Sequence, residues 1–245
     1  MELLNRHGLH LAPPQRRAIE QKMAEALREP SYPYPWESLE GEMARRGLSH
    51  FPIVGYGSLL NSGSAARTLR DDRPVRRRPV VAFGVRRIFN YQMPPGVERY
   101  PPPTHPRARA ALNVRLTREI NDVMNGIVLD TSLRDIPAMR AREVGYDLVP
   151  VACLGWTAIE DPPFLAHILC CPDEVRNGER RTSDAIEPHG EYYQVCREGA
   201  ADFGAAFLRF WLATTYLADG VTPVAAWEAT AFPRLRGPGG HEGAP

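Results

Sequence analysis

From Phe51 onward, apolar residues come in short runs rich in Val and Ile, most of them closed off by Gly, Asp or Asn. Runs of that kind predict strands. Six stand out: "FPIVGY" (51–56), "VVAFGVRRIFNY" (80–91), "RAALNVRL" (109–116), "VMNGIVLD" (123–130), "DLVPVACLGWTAI" (147–159) and "FLAHILC" (164–170). A helical period replaces them in three places. Pro13 to Glu29 places Ile19, Met23, Ala26 and Leu27 on one stripe behind two prolines, which predicts an amphipathic arm. Thr131 to Glu143 predicts a short helix with Thr or Ser as its N-cap and Leu133, Ile136 and Met139 at helical spacing, limited by Pro137 and ending at Gly145. Glu191 to Gly220 carries Tyr192, Val195, Phe203, Phe207, Phe210, Trp211 and Leu217 on a broad apolar face, which predicts one long helix or two covering a sheet.

Several strands close together with irregularly placed helices predict an α+β fold: a small mixed β-barrel or strongly curved sheet flanked by helices. "PSYPYPW" (30–36) breaks the arm and reads as an extended linker whose aromatic residues lie on the main body. Residues 1–48 therefore read as a helical extension and linker, 49–235 as the main domain, and 236–245 as a flexible tail. "PPGVERYPPPTHP" (94–106) is too long for a plain connection and reads as a rim or lid.

Composition narrows the function classes. The chain has 245 residues, 43% hydrophobic and 24% charged, enough for a sizeable core, and its net charge of +1 implies neither nucleic acid nor an anionic membrane as partner. No stretch is long and apolar enough to span a bilayer, and "MELLNRHGLHLAPP" lacks the features of a secretory signal, so a cytoplasmic protein is expected. Lys22 is the only lysine, so the arginine-rich stretch 67–87, interrupted by Asp71 and Asp72, reads more readily as solvated surface than as an anion patch. Cys153, Cys170, Cys171 and Cys196 show no metal-ligand spacing and read as reduced, partly buried thiols.

The chemistry concentrates at "VGYGSLL" (54–60). Leu60 stands where a dinucleotide fingerprint needs its third glycine, there is no lysine for a P-loop, and Tyr56 and Leu60 flank Ser58 where a nucleophile elbow needs glycines. Two readings stay open. Glycines at a strand end let backbone N–H groups converge on an anion while Ser58 caps the next helix; a plain structural turn explains the same letters.

"VGYGSLL" resembles the signature strand and loop of the gamma-glutamylcyclotransferase-like superfamily, which includes the ChaC and AIG2-like proteins. "AREVGYDLVPV" (141–151) is similar to that superfamily's catalytic-glutamate segment, and "NGIVLD" (125–130) to the strand before it. The resemblance spans roughly 52–217 and leaves the arm and the 94–106 loop unmatched. It implies cyclisation of a small-molecule γ-glutamyl amide or peptide to 5-oxoproline with release of the amine, without metal or cofactor. Glu143 would be base and then acid, in apolar surroundings that raise its pKa. Tyr56, Gly57, Ser58 and Leu59 would form the substrate cradle, with Tyr146 donating to the ligand or serving as a structural tyrosine. Arg86, Arg87 and Asn90 are weaker candidates. Read without the resemblance, Glu143 is a surface residue at a helix end paired with Arg142 or Arg140. The runner-up function is a catalytically silent AIG2-like module that binds a small γ-glutamyl-type ligand or, through the arm, a protein partner, and homodimerisation through the arm is a further expectation. A third reading is a thiol-dependent transferase using Cys171 or Cys153.

Overall fold

The computed structural model describes residues 9–69, 77–94, 100–103, 105–158 and 160–235. In chain order the strands are β1 (His50–Gly55), β2 (Arg77–Phe83), β3 (Val85–Gln92), β4 (Ala110–Leu116), β5 (Val123–Ser132), β6 (Asp147–Gly155), β7 (Phe164–Cys170), β8 (Val175–Arg176), β9 (Glu179–Arg180) and β10 (Thr215–Tyr216). The helices are α1 (Pro13–Ala26), α2 (Leu39–Arg45), α3 (Ser62–Ala66), α4 (Ile136–Arg142), α5 (Gly190–Ala201), α6 (Ala205–Ala213) and α7 (Val224–Leu235).

Five strands close into a barrel in the order β1-β5-β2-β6-β7, and β7 meets β1 in parallel to complete it. The other barrel pairings are antiparallel, so the barrel is mixed. Ile53 of β1 sits in register with Leu129 of β5 and with His167 of β7. Every residue of β5 from Val123 to Leu129 is buried, the signature of a strand covered on both faces. Part of that cover is α6, whose Phe207 carbonyl accepts from Asn125 Nδ2 at 2.8 Å.

The apolar run 80–91 forms two strands rather than the single one predicted. The break falls at Gly84, whose φ of +75° only glycine adopts readily, and an added Cβ there would lie 2.9 Å from Met23 Cε. β2 stays in the barrel while β3 joins β4 and β10 in a second sheet. Two further boundaries move for local reasons. Thr131 and Ser132 remain in β5, paired with Phe51 and His50, so α4 begins only at Ile136. Towards the C-terminus the predicted helical stretch divides at Gly204, with φ +97°, and gives way to β10 at Thr215.

The arm packs on the barrel. Ile19 of α1 is fully buried among Val81, Phe83, Val123, Leu154 and Phe210, whereas Leu27 of the same stripe is 62% exposed. Burying one such isoleucine contributes about 1.5–3 kcal/mol. The linker follows suit: Tyr32 and Leu148 exchange backbone hydrogen bonds of 2.8 and 2.9 Å, and Trp36 Nε1 donates to the Tyr146 carbonyl at 2.8 Å. Residues 95–99 and 104 of the proline-rich loop, 70–76 of the arginine-rich stretch, and the tail from 236 lie outside the described residues. No helix among the described residues is long and apolar enough to cross a membrane.

Candidate active site

β1 delivers the chain to Gly55, and Tyr56 and Gly57 turn it into a single 3-10 turn, Ser58–Leu60. Its first closing bond runs from Leu60 N to the Gly57 carbonyl at 2.9 Å, so the amides of Ser58 and Leu59 precede any bond inside the turn. Gly57 is required by close approach: an added Cβ would sit 2.6 Å from the Tyr192 hydroxyl on α5. The loop is also held from behind, where Trp211 Nε1 of α6 donates to the Tyr56 carbonyl at 3.3 Å. Ser58 does not cap the following helix. Asn61 does, its side chain accepting from Ser64 N at 2.9 Å, which leaves the Ser58 hydroxyl to another partner.

That partner comes from α4. Arg142 makes four hydrogen bonds through its two terminal nitrogens, and its side chain is only 5% exposed. NH2 donates to Ser58 Oγ at 2.8 Å and Ser64 Oγ at 2.9 Å, and NH1 to the Ser64 carbonyl at 2.6 Å and Thr68 Oγ1 at 2.8 Å. Its Nε lies 2.9 Å from Glu143 Oε1. Glu143 terminates α4 and pairs with Arg142, as the reading without the resemblance has it, but only 14% of its side chain stays exposed, less than a surface residue would show. The apolar surroundings expected for it are therefore only part of its setting. One guanidinium joins the glutamate to the glycine loop and supplies the carboxylate's countercharge.

A shell of tyrosines surrounds the pair. Burial pushes the Tyr56 phenol well above its ordinary pKa, with Cys170 next and then the negative charge of Glu143. Burial likewise raises Tyr146 well above its ordinary value, and Glu143 is again among the contributing charges. Both phenols have protein partners: Tyr56 donates to the Leu169 carbonyl at 2.6 Å and Tyr146 to the Leu112 carbonyl at 2.7 Å. Tyr146 thus matches the structural alternative, stacked on Tyr91 with ring centroids 4.6 Å apart.

Three solved structures resemble the chain in outline. One is a "Gamma-glutamyl cyclotransferase", 11% identical, with a TM-score of 0.48, covering 67% of this chain and 88% of that one. Another is an uncharacterized human protein, 12% identical, TM-score 0.48, covering 68% and 88%. The third is YkqA from Bacillus subtilis, 11% identical, TM-score 0.47, covering 69% and 55%. No family model matches the chain, and no curated protein does.

The weaker candidates divide. Arg86 pairs with Asp122 at 2.8 Å, and Asn90 accepts from Asn113 Nδ2 at 3.0 Å, so both have structural partners. Arg87 is completely buried beneath the loop, beside Trp211. The four cysteines are free and buried, and burial pushes the Cys171 thiol up to about 11 and the other three to about 12, which removes the thiolate a nucleophile needs. Sequence reasoning missed Tyr192 and Trp211 as supports of the loop. Their roles depend on α5 and α6 folding back over it, and neither residue differs in sequence from an ordinary core aromatic.

Proposed function

We propose that the protein converts a γ-glutamyl amide or peptide into 5-oxoproline and a free amine. The observation that carries this reading is the link from the Glu143 carboxylate through Arg142 to Ser58 of the glycine loop. The substrate's α-amine nitrogen attacks its own γ-carbonyl carbon, so the nucleophile is intramolecular. Holding that ring-closing geometry contributes on the order of 7–11 kcal/mol to lowering the barrier. Glu143, paired with Arg142, enters the reaction as a carboxylate and takes the proton released by the attacking amine. A new C–N bond closes the five-membered ring, and the carbonyl oxygen takes up negative charge that the Ser58 and Leu59 amides stabilise. The old C–N bond then breaks as Glu143 returns its proton to the departing nitrogen. The carboxylate is restored, and no water is consumed.

The test is incubation with a panel of γ-glutamyl amino acids, peptides and alkylamides, following 5-oxoproline by mass spectrometry. Release from at least one compound is expected. Release from none overturns the proposal and favours a binding module on the same loop.

A further inference from the structure

Glu143 stands at the start of a turn that is in neither helix nor strand. α4 ends at Arg142 and β6 begins at Asp147. Between them the Tyr146 amide donates to the Glu143 carbonyl at 3.2 Å, around Gly145 with φ +81°. Side chains from elsewhere hold the carbonyls of this turn. The Tyr91 hydroxyl of β3 donates to the Val144 carbonyl at 2.7 Å, and Trp36 Nε1, from the chain ahead of the barrel, donates to the Tyr146 carbonyl at 2.8 Å.

Trp36 does not act alone. Residues 30–46 follow the same segment from end to end. The Tyr34 amide donates to Asp147 Oδ1 at 2.9 Å, Tyr32 and Leu148 exchange backbone bonds, and Glu40 of α2 pairs with Arg140 of α4. These contacts fall ahead of Glu143 at Arg140 and beyond it at Tyr146, Asp147 and Leu148, so the glutamate lies between two anchored points. Trp36 is fully buried and yet holds φ +63°, a left-handed conformation that a bulky side chain rarely takes. Fastening a linker to a barrel does not call for that conformation, whereas aiming an indole N–H at a carbonyl of the Glu143 turn gives it a use.

We infer that residues 30–46 form a strap in which Trp36 is a positioning residue for Glu143, fixing the turn after the glutamate so that its carboxylate stays aligned. This rests on the proposed function and deepens it. Trp36 would touch neither the substrate nor the reacting atoms, and acts through the Tyr146 carbonyl. A displacement of about 1 Å at a catalytic group can cost about 10²-fold in rate, so a slack turn is read in kcat. The glycine loop is braced from α6 by Trp211, so ligand binding there does not depend on the strap.

The experiment compares two variants of the full chain at a temperature where melting curves show both folded. Trp36→Phe keeps an aromatic ring and loses the donor, and Ile19→Ala loosens the arm away from the turn. Trp36→Phe should lower kcat for 5-oxoproline release by about tenfold or more with KM within threefold of wild type, and should speed amide hydrogen exchange over 143–147 without changing it over 55–60. Ile19→Ala should leave kcat and the exchange of both segments within threefold of wild type. A kcat within threefold of wild type in Trp36→Phe, a loss carried by KM, unchanged exchange over 143–147, or an equal fall of kcat in Ile19→Ala each overturns the inference. If Trp36→Phe does not fold, Glu40→Gln decides: faster exchange over 139–143 with kcat lowered at least threefold retains the strap, and no change in either one overturns it. If wild type releases 5-oxoproline from no compound, the proposed reaction falls and exchange alone decides: faster exchange over 143–147 in Trp36→Phe retains the hold on Glu143, and unchanged exchange overturns it.

Discussion

Glu143 and Arg142 are neighbours in sequence, yet they do different work. The glutamate offers a carboxylate, and the arginine anchors that carboxylate to Ser58, Ser64 and Thr68 on the loop and the helix after it. Removing one partner of a buried ion pair leaves an uncompensated charge and typically costs about 3–5 kcal/mol. Arg142→Met is therefore expected to lower unfolding free energy by about that amount in chemical denaturation, and adding Glu143→Leu should restore part of it. A loss below about 1 kcal/mol would mean that the bridge carries little. His167 supplies a second residue-level expectation. Burial lowers its pKa to about 4, its Nε2 donates to the Pro30 carbonyl at 3.1 Å, and its buried Nδ1 has no partner. The unfolded chain thus binds the proton more readily, so stability falls as pH drops from about 6.5 to about 4, by about 3 kcal/mol. Melting curves of wild type and His167→Phe should diverge in slope across that window, and parallel curves would rule the effect out.

The loop from Gly55 to Leu60 shows what local sequence can reveal of an element and what it cannot. Gly-Tyr-Gly-Ser after an apolar run is legible as a strand end followed by a turn, and the structure has one there. The cap was misread, because Asn61 and Ser58 are both able to cap and only the arrival of Arg142 from α4 engages Ser58. The β2–β3 break was missed because Gly84 interrupts a run that is apolar on both sides. The need for Gly57 is invisible in sequence, since it arises from Tyr192 on a helix more than a hundred residues away. Gly57→Ala is expected to destabilise by about 1–3 kcal/mol through overpacking and to impair turnover. Adding Tyr192→Phe, which removes the obstructing oxygen, should recover a measurable part of both. A double-mutant cycle with no coupling would contradict the close approach.

At the scale of the whole molecule, strand content and the mixed, closed sheet were legible because β1, β5, β6 and β7 each coincide with one compact apolar run. The pairing order β1-β5-β2-β6-β7 was not, because register and neighbour choice depend on which strands share helix cover. The N-terminal arm, set apart in sequence by its prolines, uses Ile19 to pack on barrel strands β2, β5 and β6, so its apolar stripe is largely committed within the chain. The barrel positions β1 and its loop, α4 closes over them with Glu143, and α5 and α6 press from behind, so residues from distant parts of the sequence meet at one place. Everything functional in this account depends on the Glu143 carboxylate carrying the proton between two nitrogens. The most direct measurement is kcat for 5-oxoproline release by Glu143→Gln beside wild type on the best γ-glutamyl substrate, with melting temperatures recorded for both. A fall of about 10²–10⁴-fold with the fold intact is expected; a folded variant turning over within threefold of wild type would contradict that role for Glu143.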